Sequence, residues 1–438
     1  MTVWPLRSLA EIENIGERMY AFAEGLYPLC RSITGDGVRQ TLAAVSERLP
    51  LKVHEVATGT EVFDWTVPNE WNIRDAWIRN ESGEKIVDFK VSNLHVLNYS
   101  VPVKAEMTLD ELKPHLISIP EQPDLIPYRT SYYRETWGFC LSHRQLESLP
   151  DGRYEVFIDS TLAPGHLTYG EHVLPGETDD EVLITAHICH PSLANDNLSG
   201  IALLTHLAEA LAEIPHRYTY RFLLIPGTIG SITWLARNED RVGRIRHGLV
   251  LSCLGDGGGP TYKASRRGDA AVDRAARHVL SAGFPEPRLE AFSPYGYDER
   301  QFCSPAFNLP VGLLERSKYG EFPEYHTSAD NLDFISAGHL EESFGMVARI
   351  LDVLENDRRC TSLNPKCEPQ LGKRGLYQAI GGDKDAARKQ MAMLWALNLS
   401  DGQHSVLDMA ERASIPFGIM SDTCAILEES GLVESARE

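Results

Sequence analysis

Positive charge is in deficit in this sequence: 42 Lys+Arg stand against 62 Asp+Glu, a formal net charge of −20, with an isoelectric point near 5.2. Such a balance repels a phosphate backbone at long range and leaves no footprint for an anionic membrane. No stretch approaches the roughly 20 apolar residues of a membrane span, and the N-terminal MTVWPLRSLAEIENIG has no continuous apolar signal core. A cytoplasmic location is the resulting expectation. Cysteine is sparse and scattered: the eight cysteines form no CxxC pair and no dense framework, so reduced, buried thiols are expected rather than disulfides. There is no internal repeat and no low-complexity tract. What is present is length, 438 residues at 43% hydrophobic content, enough for two or three domains with at least one large core.

Helical spacing of apolar residues appears twice near the start, around Ile12 to Leu26 and Val38 to Leu49, with Asp36 placed to cap the second helix. From Leu51 the pattern shortens into alternating runs (Lys52 to Val56, Trp71 to Arg79, Ile86 to Phe89, Leu94 to Leu97) broken by Pro, Gly and Asn. These runs predict a small β-rich module. Strands are then predicted at Glu155 to Ile158, Val182 to Ala186, Tyr220 to Ile225, His247 to Cys253 and Val311 to Leu314. Helices alternate with them at Ile201 to Ala212, Ser231 to Ala236, Ala270 to Ala282 and Ala337 to Glu355.

That alternation is the mark of an α/β fold, a mainly parallel sheet sandwiched by helices. Residues 1–60 and 155–356 are assigned to the α/β domain, and 61–154 to an insertion within it. A polar linker is predicted over Asp357 to Pro369. Beyond it, three short helices (Met391 to Leu399, Ser405 to Ala413, Phe417 to Glu429) and a β-like end suggest a winged-helix-like domain over 366–438. From Lys366 to Glu438 there are 8 Lys+Arg against 11 Asp+Glu, a net of −3, so a packing or protein-contact role is expected rather than DNA binding.

The stretch EVLITAHICHPSLANDNLSG, Glu181 to Gly200, concentrates the chemistry. A run of β-formers delivers His187 to a strand end, where open α/β sheets build their sites. Asp196 follows nine residues later, across a loop that can fold back and place both side chains on one ion. Taken alone, His187 is more readily read as a hydrogen-bonded core histidine.

The order strand, His187, the NDNLSG loop with Asp196, a helix, and much later YHTSADNLDF resembles the zinc-dependent aminopeptidases with co-catalytic metals, whose clan includes glutaminyl cyclase. The phrases VPNEWNIRDAWI, SNLHVLNYSVPV, YGYDERQF and FPEYHTSADNLDF resemble more specifically an uncharacterised bacterial aminopeptidase-like family with an inserted small domain and a C-terminal winged helix. Its members carry names of polysaccharide biosynthesis proteins or peptidases. The resemblance implies metal ligands at His187, Asp196 and His326. With Asp196 and His326 in family order, the metal reading of His187 is preferred.

The same resemblance expects a Glu-Glu pair where this chain has Gly227-Thr228, an Asp where it has Cys253, and an orienting Asp where it has Cys189. A two-metal site is therefore not expected. Two imidazoles and one carboxylate with an open position are a sufficient set for a single catalytic zinc. Cys253 and His190 are reserve ligands, although a strand-end cysteine suits the core and His190 suits a loop-fixing role.

With the glutamate missing, Glu315, at the end of a predicted strand, and Glu299, in the loop Tyr295 to Arg300, are the candidate proton-transfer groups. Asp298 and Arg300 are candidate substrate-binding residues, Arg300 as a bidentate grip on a carboxylate. An internal salt-bridge network among Asp298, Glu299, Arg300 and Glu315 is the alternative. Gly255 to Gly259 lacks GxGxxG spacing, so a flexible loop near the site is expected there rather than phosphate binding. Trp65, Trp71 and Trp77 are expected to form the core of the insertion, or else a pocket wall.

The reading is a zinc-dependent hydrolase of an amide bond in a small peptide or aminoacyl-type substrate. Its alternative is a catalytically inactive binding or scaffold protein on the same fold. Neither membrane nor nucleic acid is an expected partner; a homo-oligomer is compatible with so long a domain.

Overall fold

The structure, a computed structural model, describes residues 3–376 and 384–436. The stretch 377–383 and the last two residues, which fall within the expected winged-helix segment, lie outside the described residues.

Eight strands form the central sheet: β1 Lys52–Ala57, β2 His166–Leu174, β3 Glu181–His187, β4 Thr219–Ile225, β5 Ile245–Leu251, β6 Thr261–Lys263, β7 Arg288–Glu290 and β8 Val311–Glu315. Their spatial order is β1-β2-β4-β3-β5-β8-β6-β7. The middle of the sheet is parallel: β3 pairs with β4 and β5, and β5 with β8. Antiparallel pairings carry it to the first edge, β1 with β2 and β2 with β4. Every residue of β3, β4 and β8 is buried, as strands covered on both faces must be, which is why they read as nearly continuous apolar runs; the charged Arg221 within β4 is accommodated by an ion pair with Glu181 of β3.

The covering helices are α1 Ile15–Leu26, α2 Asp36–Ser46, α3 Gly200–Ala212, α4 Ile229–Arg237, α5 Ala271–Gly283 and α6 Ala337–Asn356. α3 is rich in Ala and Leu, the best helix formers, and Asn197 Oδ1 accepts the otherwise orphaned Gly200 N–H at 3.1 Å. Leu203, Leu204, Leu207 and Leu211 on it are fully buried. Truncating any one of them to Ala costs about 2–5 kcal/mol. Asp36 makes no capping bond at the start of α2; Gly35 occupies that position instead.

Three expectations are corrected. Glu155 to Ile158 is not a strand of the central sheet; it lies within Arg153–Ala163, the strand of a separate four-stranded antiparallel sheet with Glu70–Arg79, Lys85–Asp88 and Val103–Thr108. Its alternation of buried and partly exposed residues is the period-2 signature of a sheet with one covered face. Leu94 to Leu97 is not a strand, since Asn93–His95 forms a 3-10 turn. Trp71 and Trp77 are buried, but Trp65 is 47% exposed on the two-residue hairpin strand Trp65–Thr66 and forms no part of a core.

The predicted linker also contains structure. Arg359–Ser362 pairs with Asp401–Ser405 and Val433–Ala436, closing the three-stranded sheet of the winged helix around α7 Lys384–Leu399, α8 Val406–Ala413 and α9 Phe417–Glu429. This module packs on the α/β domain. The Phe417 N–H at the start of α9 donates to His278 Nε2 at 3.1 Å, Arg7 pairs with Asp422, and Arg274 contacts Asp408 and Glu411.

Candidate metal centre

Asp196 is the hub of the site. Its Oδ1 lies 2.8 Å from His187 Nε2 and accepts the Tyr297 hydroxyl at 3.0 Å; its Oδ2 lies 3.0 Å from His326 Nε2 and 3.2 Å from His190 Nδ1. His187 Nε2 and His190 Nδ1 are 3.3 Å apart. The side chains of Asp196 and His187 are 0% and 1% exposed, whereas His190 and His326 are 10% and 27% exposed, so the group opens to solvent on the side of these two.

Each member is placed by a different element. His187 is the last residue of β3, in register with Ile225 of β4. Asp196 sits in the turn Ala194–Ser199 before α3, and its backbone N–H donates to Asp330 Oδ2 at 3.0 Å while the Asn195 N–H donates to Asp330 Oδ1 at 2.6 Å. His326 has φ of 55°, in the left-handed region disfavoured for a residue with a Cβ. The insertion holds it there: the Tyr128 N–H donates to the His326 carbonyl at 2.7 Å, and Ile126 and Ser328 exchange bonds beside it.

Rings pack the imidazoles in place. Tyr297 stacks on His187 at 4.7 Å and Tyr325 on His326 at 3.9 Å, while Tyr128 meets both His190 and His326 edge-on.

Burial, opposed by Asp196, lowers the His187 and His326 pKa values. Burial alone would raise the Asp196 carboxyl, but His190, His187 and His326 hold it well below the usual carboxylate range. The directions for Asp196, His187 and His326 favour an ionised carboxylate and neutral imidazoles, the states a divalent ion requires of its ligands.

Among the described residues, His187, His190 and Asp196 offer ligand atoms all within 4.8 Å of one another. A tetrahedral zinc at about 2.0–2.1 Å from its ligands separates them by about 3.3 Å. The separations of 2.8 Å from His187 to Asp196 and 3.3 Å from His187 to His190 fit that ion with small outward shifts; His326, 3.0 Å from the second Asp196 oxygen, is not part of that close group.

His187 and His326 thus both meet Asp196, but the close ligand group is completed by His190, expected to fix its loop, and not by His326. Cys253 lies outside it. Its Sγ is 4.0 Å from the Tyr297 hydroxyl, and burial pushes its thiol well above the ordinary value.

Among the described residues no salt bridge joins the four charged candidates, although Glu299 acts through space on Glu315 and Asp298. Glu299 is fully buried in an ion pair with Lys263 at 2.8 Å, and burial raises its carboxyl. Glu315, at the end of β8, accepts the Tyr319 N–H at 3.4 Å; burial and then Glu299 raise it well above the usual range. Asp298 Oδ1 accepts the Ser231 hydroxyl at 2.7 Å, and burial pushes its carboxyl up to about 7. Arg300 is half-buried in the short helix Glu299–Phe302, with no partner for its Nε among the described residues.

The loop Gly255 to Gly259, expected to be flexible, is tied down. Asp256 accepts from Asn195 Nδ2 at 2.7 Å, Ser317 Oγ at 2.6 Å and Gly258 N at 2.6 Å. Sequence reasoning missed Asp330, Tyr297 and Tyr128 as supporting groups; the only written signal was the aspartate four residues after His326.

A family model described as a domain of unknown function, DUF4910, matches residues 20–357. The chain belongs to that family. A winged helix-turn-helix model matches residues 358–435. A Clostridium acetobutylicum protein, provisionally named for polysaccharide biosynthesis with an aminopeptidase-like domain, is 53% identical over 402 residues, 92% of each chain. A crystal structure from the same organism, provisionally described as a peptidase, superposes with a TM-score of 0.93 at 48% identity over 98% of both chains. The zinc aminopeptidase of Bacillus subtilis shares the fold at a TM-score of 0.55 and 14% identity, covering 76% of this chain and 94% of its own.

The DUF4910 chain is therefore an aminopeptidase-like fold carrying a candidate His-His-Asp metal group. No helix among its described residues is long and apolar enough to cross a membrane.

Proposed function

We propose that this protein is a zinc-dependent hydrolase of an amide bond in a small peptide or aminoacyl-type substrate, with one ion held by His187, Asp196 and His326 and with His190 able to join. The observation that carries the reading is the convergence of three imidazoles and the Tyr297 hydroxyl on the single buried carboxylate of Asp196. An ion held there polarises a carbonyl and lowers the pKa of water. The chain's own groups do the rest. Asp330 fixes the loop that presents Asp196, and Tyr297 and Tyr325 hold the imidazole planes by stacking. The exposed side of His190 and His326 is where a substrate enters.

Zinc analysis of the purified protein and turnover of aminoacyl amides test the reading together. Stoichiometric zinc, lost with activity on His326→Ala, is the expected result; no zinc in the wild type, with no change on that substitution, sinks it.

A second reading, a binding protein on the same fold, is favoured by one observation: Gly227 and Thr228 supply no carboxylate after β4. Retained zinc with no turnover of any aminoacyl amide would support it. We assign the winged helix a packing role, because the start of its third helix, the part that reads bases in helix-turn-helix proteins, meets His278 and Arg7 of the α/β domain.

A further inference from the structure

Amide hydrolysis needs a group that takes a proton from the attacking water and delivers one to the departing nitrogen. The buried carboxylates around the metal group differ in how much of their capacity is already committed. Asp196 is taken by the imidazoles, and Asp330 by two backbone N–H groups. Glu299 is neutralised by Lys263, and Glu315 accepts the Tyr319 N–H, its carboxyl raised well above the usual range by burial and by Glu299.

Asp298 differs from Glu299 in what holds its first oxygen. Both are fully buried with one carboxylate oxygen lacking a hydrogen-bond partner among the described residues, but the other oxygen of Glu299 is held by the Lys263 ammonium, whereas that of Asp298 takes only the neutral Ser231 hydroxyl. Gly227 borders both the unpartnered Asp298 Oδ2 and His187. A Cβ built on Gly227 would lie 3.2 Å from His187 Cβ and 3.4 Å from Asp298 Oδ2. A side chain at position 227 would therefore enter the space between the two, and the glycine keeps that space open for the carboxylate.

We propose that Asp298, supplied by the loop before the short helix Glu299–Phe302, is the proton-transfer residue of this site, working through the gap that Gly227 leaves beside His187. The assignment rests on the hydrolase reading above. Water adds its oxygen to the amide carbonyl carbon as Asp298 takes one of its protons. The C–N bond then breaks with its electron pair on nitrogen, and Asp298 returns the proton there, giving a carboxylic acid and an amine with no further reactant. An affinity for protons near neutrality, produced by burial, suits both halves of that exchange.

Asp298→Asn keeps the acceptor for Ser231 and should fold as the wild type does. With zinc-loaded protein and a panel of aminoacyl 4-nitroanilides, it should lower kcat by about 10²–10⁴-fold, leave KM and zinc content within about threefold, and abolish the acidic limb of the kcat profile. Asp298→Glu should recover part of the loss. Independently of turnover, infrared titration of the zinc-free protein should show a carboxyl band near neutral pH that is absent from Asp298→Asn. A variant that keeps kcat and the acidic limb overturns the assignment alone, as does an unchanged infrared titration. A wild-type protein that holds zinc and cleaves none of the anilides overturns the hydrolase reading and the assignment with it.

Discussion

The main-chain N–H of Tyr128 donates to the carbonyl of His326 at 2.7 Å, and the Tyr128 ring lies 5.0 Å from the His326 ring, edge to face. One residue of the insertion thus fixes both the backbone and the ring of an imidazole that the α/β domain supplies. The loop that carries Tyr128 is a wall of the metal group.

Tyr128→Ala keeps the backbone bond but removes the edge contacts to His190 and His326. Groups that orient metal ligands are worth about 10–100-fold in metal affinity. We expect about a tenfold weaker zinc affinity in a competition titration with a chelator; because Tyr128 is buried against Leu94 and Leu193, the truncation also costs about 3–5 kcal/mol of stability, so the titration is made well below the unfolding temperature of the variant. An unchanged affinity would show that the backbone bond alone suffices.

Asp330 accepts the Asn195 and Asp196 N–H groups, and burial pushes its carboxyl up to about 8. Asp330→Ala leaves two buried donors unpaired, at about 1–3 kcal/mol each. Chemical denaturation should show that loss, and zinc retention through dialysis should fall with it.

Asp352 is buried near Arg7 and accepts from Asn356, and burial raises its carboxyl to about 6. A group whose folded pKa lies above its unfolded value binds protons more tightly when folded, so its contribution to stability declines as pH rises from about 4 to about 6 and is level beyond. Asp352→Asn removes that dependence. The Tm of the wild type minus that of the variant should therefore fall across this window; a difference that rises with pH would reverse the assigned sign.

With the start of its third helix docked against the α/β domain and a surplus of acidic residues, the winged helix should give no salt-sensitive retention of duplex DNA in gel-shift experiments. Specific binding that weakens steeply with salt would contradict the packing role.

The fold was legible where the pattern was strongest. Val182 to Ala186 and Tyr220 to Ile225 are nearly continuous apolar runs, interrupted by Thr185 and Arg221, of the kind a doubly covered strand shows, and both lie in the middle of the sheet. Glu155 to Ile158 misled because a strand covered on one face also carries a run of β-formers, and which sheet it joins is decided by partners far away in sequence. His187, Asp196 and His326 could be named because their order along the chain resembles a known arrangement. Tyr128 could not, because its role arises from a loop of the insertion meeting the 322–328 loop some 200 residues later. Asp298 was visible as a charged residue beside a glycine-containing loop, but the gap at Gly227 that gives its free oxygen meaning exists only in three dimensions.

The central claim is a single zinc held at Asp196, and zinc content measured on purified wild type, His187→Ala, Asp196→Asn and His326→Ala tests it most directly. The account predicts one zinc per chain in the wild type and a large loss in each variant, with Asp196→Asn as low as any. Two zinc ions per chain, or a wild-type content that Asp196→Asn leaves unchanged, would contradict it.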